Sequence, residues 1–199
     1  YLEEEPKVAA VGAGLDIGKA CGSMVLDIGG GTSDIAVLAL GDIVCSTSLK
    51  VAGNRFTQLI IDYLRKERKL AIGEQMAEEV KIRIGSALPM DEPLTMEVSG
   101  LAMESGLPSS IEVNSNEIEL ALRASVDEIV RAVRTVMEIT PPELAADIVQ
   151  RGLMMTGGGA LLKNFDARLR NELQVPVHVA ENALHCVVDG CSIMLQQLR

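Results

Sequence analysis

The 199-residue sequence predicts an α/β fold: a mixed five-stranded sheet with helices on its faces and a small α+β lobe inserted into it. Three observations carry that expectation. Three apolar runs near the start are joined by short glycine-containing turns, the last third alternates strand with helix, and a Pro-, Gly- and Ser-bearing stretch interrupts the middle.

Taken in order, Val8 to Gly14 is a stretch of small residues suited to a closely packed helix or a hinge. Ser23 to Asp27, Ile35 to Leu40 and Ile43 to Val51 read as strands of an antiparallel meander. Phe56, Leu59, Ile60, Tyr63 and Leu64 recur at helical spacing, and Arg65, Lys66, Arg68 and Lys69 at that helix's end suit its negative pole. A second helix is expected from Glu74 to Leu88, stopped by Pro89. Residues 89–116 hold two short strands, Thr95 to Ser99 and Ile111 to Asn114.

From Asn116 the helical pattern returns. Ser125 with Glu128 three places on reads as a capping box, which predicts a fresh helix at Ser125 rather than one continuous rod. Thr140-Pro141-Pro142-Glu143 reads as another box, with Pro at the first helical position. The remainder reads strand Gly152 to Thr156, helix Leu161 to Leu173, strand Val177 to Ala180, and a helix from Ala183 towards Arg199. Alternation of this kind implies parallel pairing. The expected division is a connecting segment at 1–21, a large subdomain at 22–70 with 125–199, and a small inserted one at 71–124.

Composition removes several functions. With 18 basic against 28 acidic side chains the formal charge is −10, and only 2% of residues are aromatic. Nucleic-acid binding, which needs surplus cations and stacking rings, is not expected. Four cysteines without a C-x-x-C pair and two histidines give no structural metal site and suggest a reducing compartment. The N-terminal Tyr-Leu-Glu-Glu-Glu has neither a basic stretch nor an apolar run, and nowhere do eighteen apolar residues follow one another, so neither a signal peptide nor a membrane span is expected.

The sharpest motif is Asp27-Ile28-Gly29-Gly30-Gly31-Thr32, set between two strands. Consecutive glycines turn several N–H groups towards one place and carry no Cβ to hold a phosphate off. Asp27 would repel that phosphate unless a cation lay between them, which makes it a Mg²⁺ partner acting through water. The motif is neither a Walker A loop nor a dinucleotide fingerprint, and a plain hairpin turn is its bland alternative. Thr156-Gly157-Gly158-Gly159-Ala160 stands at the carboxyl end of a strand, where ligands sit in open α/β sheets. Two triple-glycine turns in one sheet favour a shared nucleotide. Glu78 and Lys81, three apart on a helix, read on their own as a surface ion pair, and Glu3, Glu4 and Glu5 as a solvated acidic end.

Five segments in order carry a resemblance: Glu-Pro-x-x-Ala-Ala-x-Gly-Ala-Gly, Asp-Ile-Gly-Gly-Gly-Thr-Ser-Asp, Ile-Gly-Glu-x-x-Ala-Glu-x-x-Lys, Thr-Pro-Pro-Glu-Leu-Ala-x-Asp-Ile and Thr-Gly-Gly-Gly-Ala-Leu-Leu. Together they resemble MreB, the bacterial actin-like, rod-shape-determining family, from about Leu2 to the C-terminus. The resemblance implies the actin-like ATPase lobe, of the ribonuclease H-like class. It makes Asp27 to Thr32 the second phosphate loop, with Gly29, Gly30, Gly31 and Thr32 at the phosphates and Asp27 linked to magnesium. Gly157, Gly158, Gly159 and Ala160 would hold the adenosine, and Glu78, Glu79, Val80 and Lys81 would flank ribose and base. Glu5 would position the attacking water.

Cofactors implied are ATP and Mg²⁺. Implied partners are further copies of the chain in filaments and membrane-bound cell-shape and wall-synthesis proteins, at the cytoplasmic face of the inner membrane. The resemblance implies a first lobe, with its own Asp-x-Gly-Thr loop and the family's membrane-inserting segment, that has no counterpart in residues 1–199, so the sequence is expected to correspond to a truncated or incomplete C-terminal half. Direct lipid insertion is not expected, and this chain alone is expected to be inactive as an ATPase, whereas the complete protein is expected to hydrolyse ATP slowly to ADP and phosphate. Asn54, Gln75-Met76, Ala183 and His185 depart from the usual family residues. A non-catalytic assembly module and another actin-fold ATPase, such as a chaperone, remain open alternatives.

Overall fold

Residues 2–197 are described by the computed structural model. Two strands form its centre, β1 (Ser23–Ile28) and β2 (Ser33–Ala39), with almost every side chain buried. Alternate residues face opposite sides. Met24, Leu26, Ile28, Ile35 and Val37 join the main core, while Val25, Ala36 and Leu38 pack with Ala10 and Ile17 on the other face. Continuous burial of this kind needs cover on both faces, and helices supply it. The small-residue stretch is the helix α1 (Glu5–Gly12), with Val8, Ala9 and Ala10 buried.

β3 (Asp42–Leu49) completes the antiparallel meander at the sheet edge, and its alternate half-burial marks a strand with one face in water. β7 (Leu153–Thr156) and β8 (Val177–Val179) add parallel strands on the other side of β1, giving the order β3-β2-β1-β7-β8. The expected mixed five-stranded sheet is therefore present.

α2 (Gly53–Glu67) buries Phe56, Ile60 and Leu64 in the main core. A short strand that the sequence pattern did not reveal, β4 (Leu70–Ala71), pairs with β5 (Thr95–Ala102), which pairs in turn with β6 (Pro108–Asn114). Two residues are too few for alternation to show. Between them lies α3 (Glu74–Ile84), shorter than the expected 74–88. Gly85 leaves the helix in an extended conformation, and the following backbone pairs elsewhere, with the Ala87 N–H donating to the Lys163 carbonyl.

The expected break at Ser125 does not occur. α4 (Ser115–Ile139) is a single helix whose capping box is Asn114 with Glu117. Ser125 lies on the buried face, in the same stripe as Leu122, Val126 and Ile129. A box pattern can start a helix only where the preceding turn is free to leave it, and no Gly or Pro here offers an exit. The second expected box also fails to close: α5 (Pro142–Arg151) starts with Pro142, and the Thr140 hydroxyl turns back to donate to the Val136 carbonyl at 2.7 Å.

The single helix expected from Leu161 to Leu173 is two pieces. A 3-10 turn over Gly158–Leu161 is followed by α6 (Phe165–Leu173), the chain re-entering through Asn164 at φ 61°. The final helix, α7 (Cys186–Gln197), starts three residues later than Ala183, and its expected continuation to Arg199 lies outside the described residues. α1 and α7 cross without side chains between them: a Cβ on Gly12 would lie 1.7 Å from the Cys186 carbonyl oxygen, and one on Gly190 would lie 2.0 Å from that of Val8. Among the described residues no helix is long and apolar enough to cross a membrane.

Candidate functional site

Sheet register builds the site. Asp27, next to last in β1, pairs across the parallel ladder with Thr156 and across the antiparallel ladder with Asp34. The Thr156 hydroxyl donates to Asp27 Oδ1 at 2.6 Å, and Asp27 is only 3% exposed. Burial pushes its carboxyl above the ordinary range, the Thr156 hydrogen bond opposes that, and Asp34 adds to the rise. Both triple-glycine turns leave the sheet at this same end.

A cleft of about 690 Å³ opens there. Its floor holds Asp27, Gly29 and Gly30 from the first turn and Gly157, Gly158 and Gly159 from the second. Glu5 reaches it from the first turn of α1, Glu78, Lys81 and Ile82 from α3, and Gly53 and Asn54 from the start of α2. Leu161, Leu162, Ala183, Leu184 and Val187 give the second turn's end an apolar wall.

The two sets of glycines are there for different reasons. Gly157 has φ +81°, and a Cβ on it would lie 2.3 Å from the Ile28 carbonyl oxygen, while one on Gly159 would overlap the Ile28 side chain at 2.2 Å. The second turn is thus glycine because it packs directly on β1. At Gly29, Gly30 and Gly31 none of the backbones is left-handed, and an added Cβ would meet nothing closer than 3.4 Å. The folded chain itself does not require glycine in the first turn, so the bare backbone faces outward. No described residue accepts from the Gly30 or Gly31 N–H groups.

The first turn is fastened from behind. The Gly53 and Asn54 N–H groups donate to the carbonyls of Gly29 and Gly30 at 3.0 and 2.8 Å. Lys81 Nζ donates to the Gly53 carbonyl, to Thr57 Oγ1 and to Glu78 Oε2, at 3.0, 3.0 and 2.7 Å. All three of its donors are therefore used. Burial acts to raise the Glu78 carboxyl, but the hydrogen bonds from Lys81 and Thr57 outweigh it and hold the group below the ordinary range. The bland surface ion pair is thus a strut between α3, α2 and the first glycine turn.

Not every residue singled out in the sequence reaches the cleft. Glu79 points away and pairs with Arg83, and Val80 is buried in the core. Helix geometry explains both, since consecutive residues differ by about 100° around the axis. Thr32 is half-buried, its carbonyl accepting from the Gly29 N–H; Gly31 is exposed; Ala160 is buried behind the second turn. None of these three lines the cleft. Sequence reasoning did not single out Gly53, Thr57, Ile82, Leu184 or Val187. Asn54 had been noted only as a departure from the family pattern, and only its place at the start of a helix after Ala52-Gly53 hinted at more.

Four ionisable groups face the cleft, Glu5, Asp27 and Glu78 against Lys81. Partial burial raises the Glu5 carboxyl, and repulsion from Asp27 and then Asp34 adds to it. A site with excess negative charge and outward N–H groups fits a phosphate only if a cation comes with it. The donor set suits Mg²⁺, which keeps most of its water and takes one or two carboxylates plus phosphate oxygens. Among the described residues no cluster of three or more His, Cys, Asp or Glu could form an all-protein cage.

The comparisons with known proteins agree with this geometry. The family model described as MreB/Mbl protein matches residues 1–199. The cell shape-determining protein Mbl of Bacillus subtilis (strain 168) is 53% identical over 198 residues, covering 100% of this chain and 60% of that protein. The cell shape-determining protein MreB of Escherichia coli (strain K12) is 48% identical, with coverage of 100% and 57%. A crystal structure of MreB5 of Spiroplasma citri bound to AMPPNP superposes with a TM-score of 0.94 at 42% identity, over 98% of this chain and 59% of that one. The chain thus spans about 60% of the length of the curated relatives it matches. The family model matches the full sequence and the fold agrees over 98% of the chain: this chain belongs to the MreB/Mbl family of actin-like, cell shape-determining proteins.

Proposed function

We propose that the cleft binds ATP as its magnesium complex and that the chain is the nucleotide-gripping half of a filament-forming protein that sets cell shape by organising wall synthesis. The observation that supports this most directly is the first glycine turn: Gly29 and Gly30 line the cleft, the Gly30 N–H has no partner among the described residues, and nothing in the folded chain demands glycine there. A solved relative, MreB5 of Spiroplasma citri, is bound to AMPPNP in one crystal structure and to ADP in another.

In this reading Gly30 donates to a phosphate oxygen, Asp27 would orient metal-bound water, and the apolar side chains of Leu161, Leu184 and Ile82 take the base. Mg²⁺ would supply charge neutralisation between phosphates and carboxylates. Glu5, its carboxyl made more basic by partial burial and then by Asp27, would hold the attacking water and accept its proton. The other half of the phosphate cradle would come from the family's first lobe, so binding to this chain alone is expected to be weak. Head-to-tail contacts that do not close on themselves would give filaments, placed with their wall-synthesis partners at the cytoplasmic face of the inner membrane.

Calorimetry with ATP tests the reading. Binding is expected with Mg²⁺ present and absent when the metal is chelated; equal binding in both conditions removes Asp27 and the metal from the site. In a version carrying the first lobe, Glu5→Ala is expected to slow phosphate release about 100-fold or more while filaments still form. Unchanged release would assign the water to another residue.

A further inference from the structure

The two walls at the apolar end of the cleft are tied together just behind it. One wall is α3, which presents Lys81 and Ile82 and ends at Ile84. The other runs from Gly157 to Leu162. Two residues beyond the first wall and two beyond the second, Ser86 and Asn164 meet: Asn164 Nδ2 donates to Ser86 Oγ at 2.9 Å. Beside that bond the Ala87 N–H donates to the Lys163 carbonyl at 2.8 Å, and Lys163 Nζ donates to the Ile82 carbonyl at 2.7 Å.

Three features single out the Asn164 bond. Ser86 is fully buried, and its hydroxyl proton is already given to the Leu88 carbonyl at 2.6 Å, so Ser86 can only accept and Asn164 must donate. Asn164 holds φ 61°, a left-handed conformation that most side chains avoid and asparagine tolerates. It also stands at the N-cap of α6, where an asparagine would ordinarily bond that helix's own N–H groups, yet no such bond is made. The side chain serves the opposite wall instead of its own helix.

We propose that Asn164 is a positioning residue: its bond to Ser86 sets the separation of the two walls and so the fit of the nucleoside end of the ligand. The inference rests on the nucleotide reading above. Without the tie, the walls sample wider separations, and a ligand that must touch both binds only the closed fraction. A ligand held by the first glycine turn and Asp27 alone does not depend on closure.

Asn164→Gly keeps the left-handed backbone free of strain and removes only the amide, and Ser86→Ala removes the acceptor. The test measures binding of Mg-ADP and of Mg-tripolyphosphate to the chain, to each variant and to the double variant. Each single change is expected to weaken Mg-ADP binding about fivefold, the double no further, with tripolyphosphate binding unchanged. Undiminished Mg-ADP binding, additive losses, or equal losses for both ligands would each overturn the tie. Should the unsubstituted chain bind neither ligand, the nucleotide reading itself falls and the tie's role with it.

Discussion

At the level of single residues, Asp27 shows a conflict between stability and ligand binding. Its carboxyl is raised by burial and by Asp34, so it holds a proton more tightly folded than unfolded. Such a group contributes its full stabilisation below the unfolded value, and that contribution is lost as pH rises through the folded one. Above the unfolded value the buried carboxyl therefore opposes folding. Asp27→Asn keeps an oxygen for the Thr156 hydroxyl and removes the charge. The expected result is a higher Tm in ligand-free protein at neutral pH, a gap that closes as pH falls below the ordinary carboxylate range, and loss of Mg²⁺-dependent nucleotide binding. Thermal melts across pH, with and without Mg-ATP, check all three. Sequence alone placed Asp27 at a strand end; the register that sets Thr156 and Asp34 on either side of it belongs to pairing between distant segments and could not be read locally.

Among the elements, the helices show where local pattern is informative and where it misleads. Asn114→Ala should cost about 1 kcal/mol, because it opens the box that starts α4. Ser125→Ala should be neutral or stabilising by up to about 0.5 kcal/mol, since alanine is the better helix former in an interior position. Urea denaturation of both variants separates them, and a large loss at Ser125 would restore it as a helix start. The meander, the parallel strands and the helix at Phe56 were legible because their periodicity is long and clean. The end of α3 was not, since it is decided by the pairing of Ser86 with Lys163, 77 residues on in the chain and invisible in any window around Leu88. Gly157 was legible as a turn but not for its reason. Gly157→Ala places a Cβ against the Ile28 carbonyl in a left-handed backbone and should cost about 2–4 kcal/mol by thermal or urea unfolding. At Gly30, which lines the cleft and where an added Cβ would meet nothing closer than Asn54 Oδ1 at 3.4 Å, alanine should leave stability within about 1 kcal/mol and weaken nucleotide binding instead.

For the molecule as a whole, the cleft is assembled from pieces that are far apart in sequence: the starts of α1 and α2, the first glycine turn, α3, the second glycine turn and the start of α7. The family resemblance identified most of its polar members, because those lie in short motifs. The apolar wall escaped notice, since Leu184 and Val187 look like any helix-start residues until the sheet order brings them beside Gly158. The acidic composition, −10 overall, is also reflected in the site, whose three carboxylates and one engaged lysine make an unaccompanied triphosphate unwelcome.

The crossing of α1 and α7 at Gly12 and Gly190 leaves backbone resting on backbone. With no intervening side chain to flex, the pair has no soft layer and should behave as one stiff beam, carrying Glu5 at one point and Val187 at another. Hydrogen exchange should find the buried amides of both helices opening together at a common rate, and a methyl group added at either glycine should loosen both helices at once.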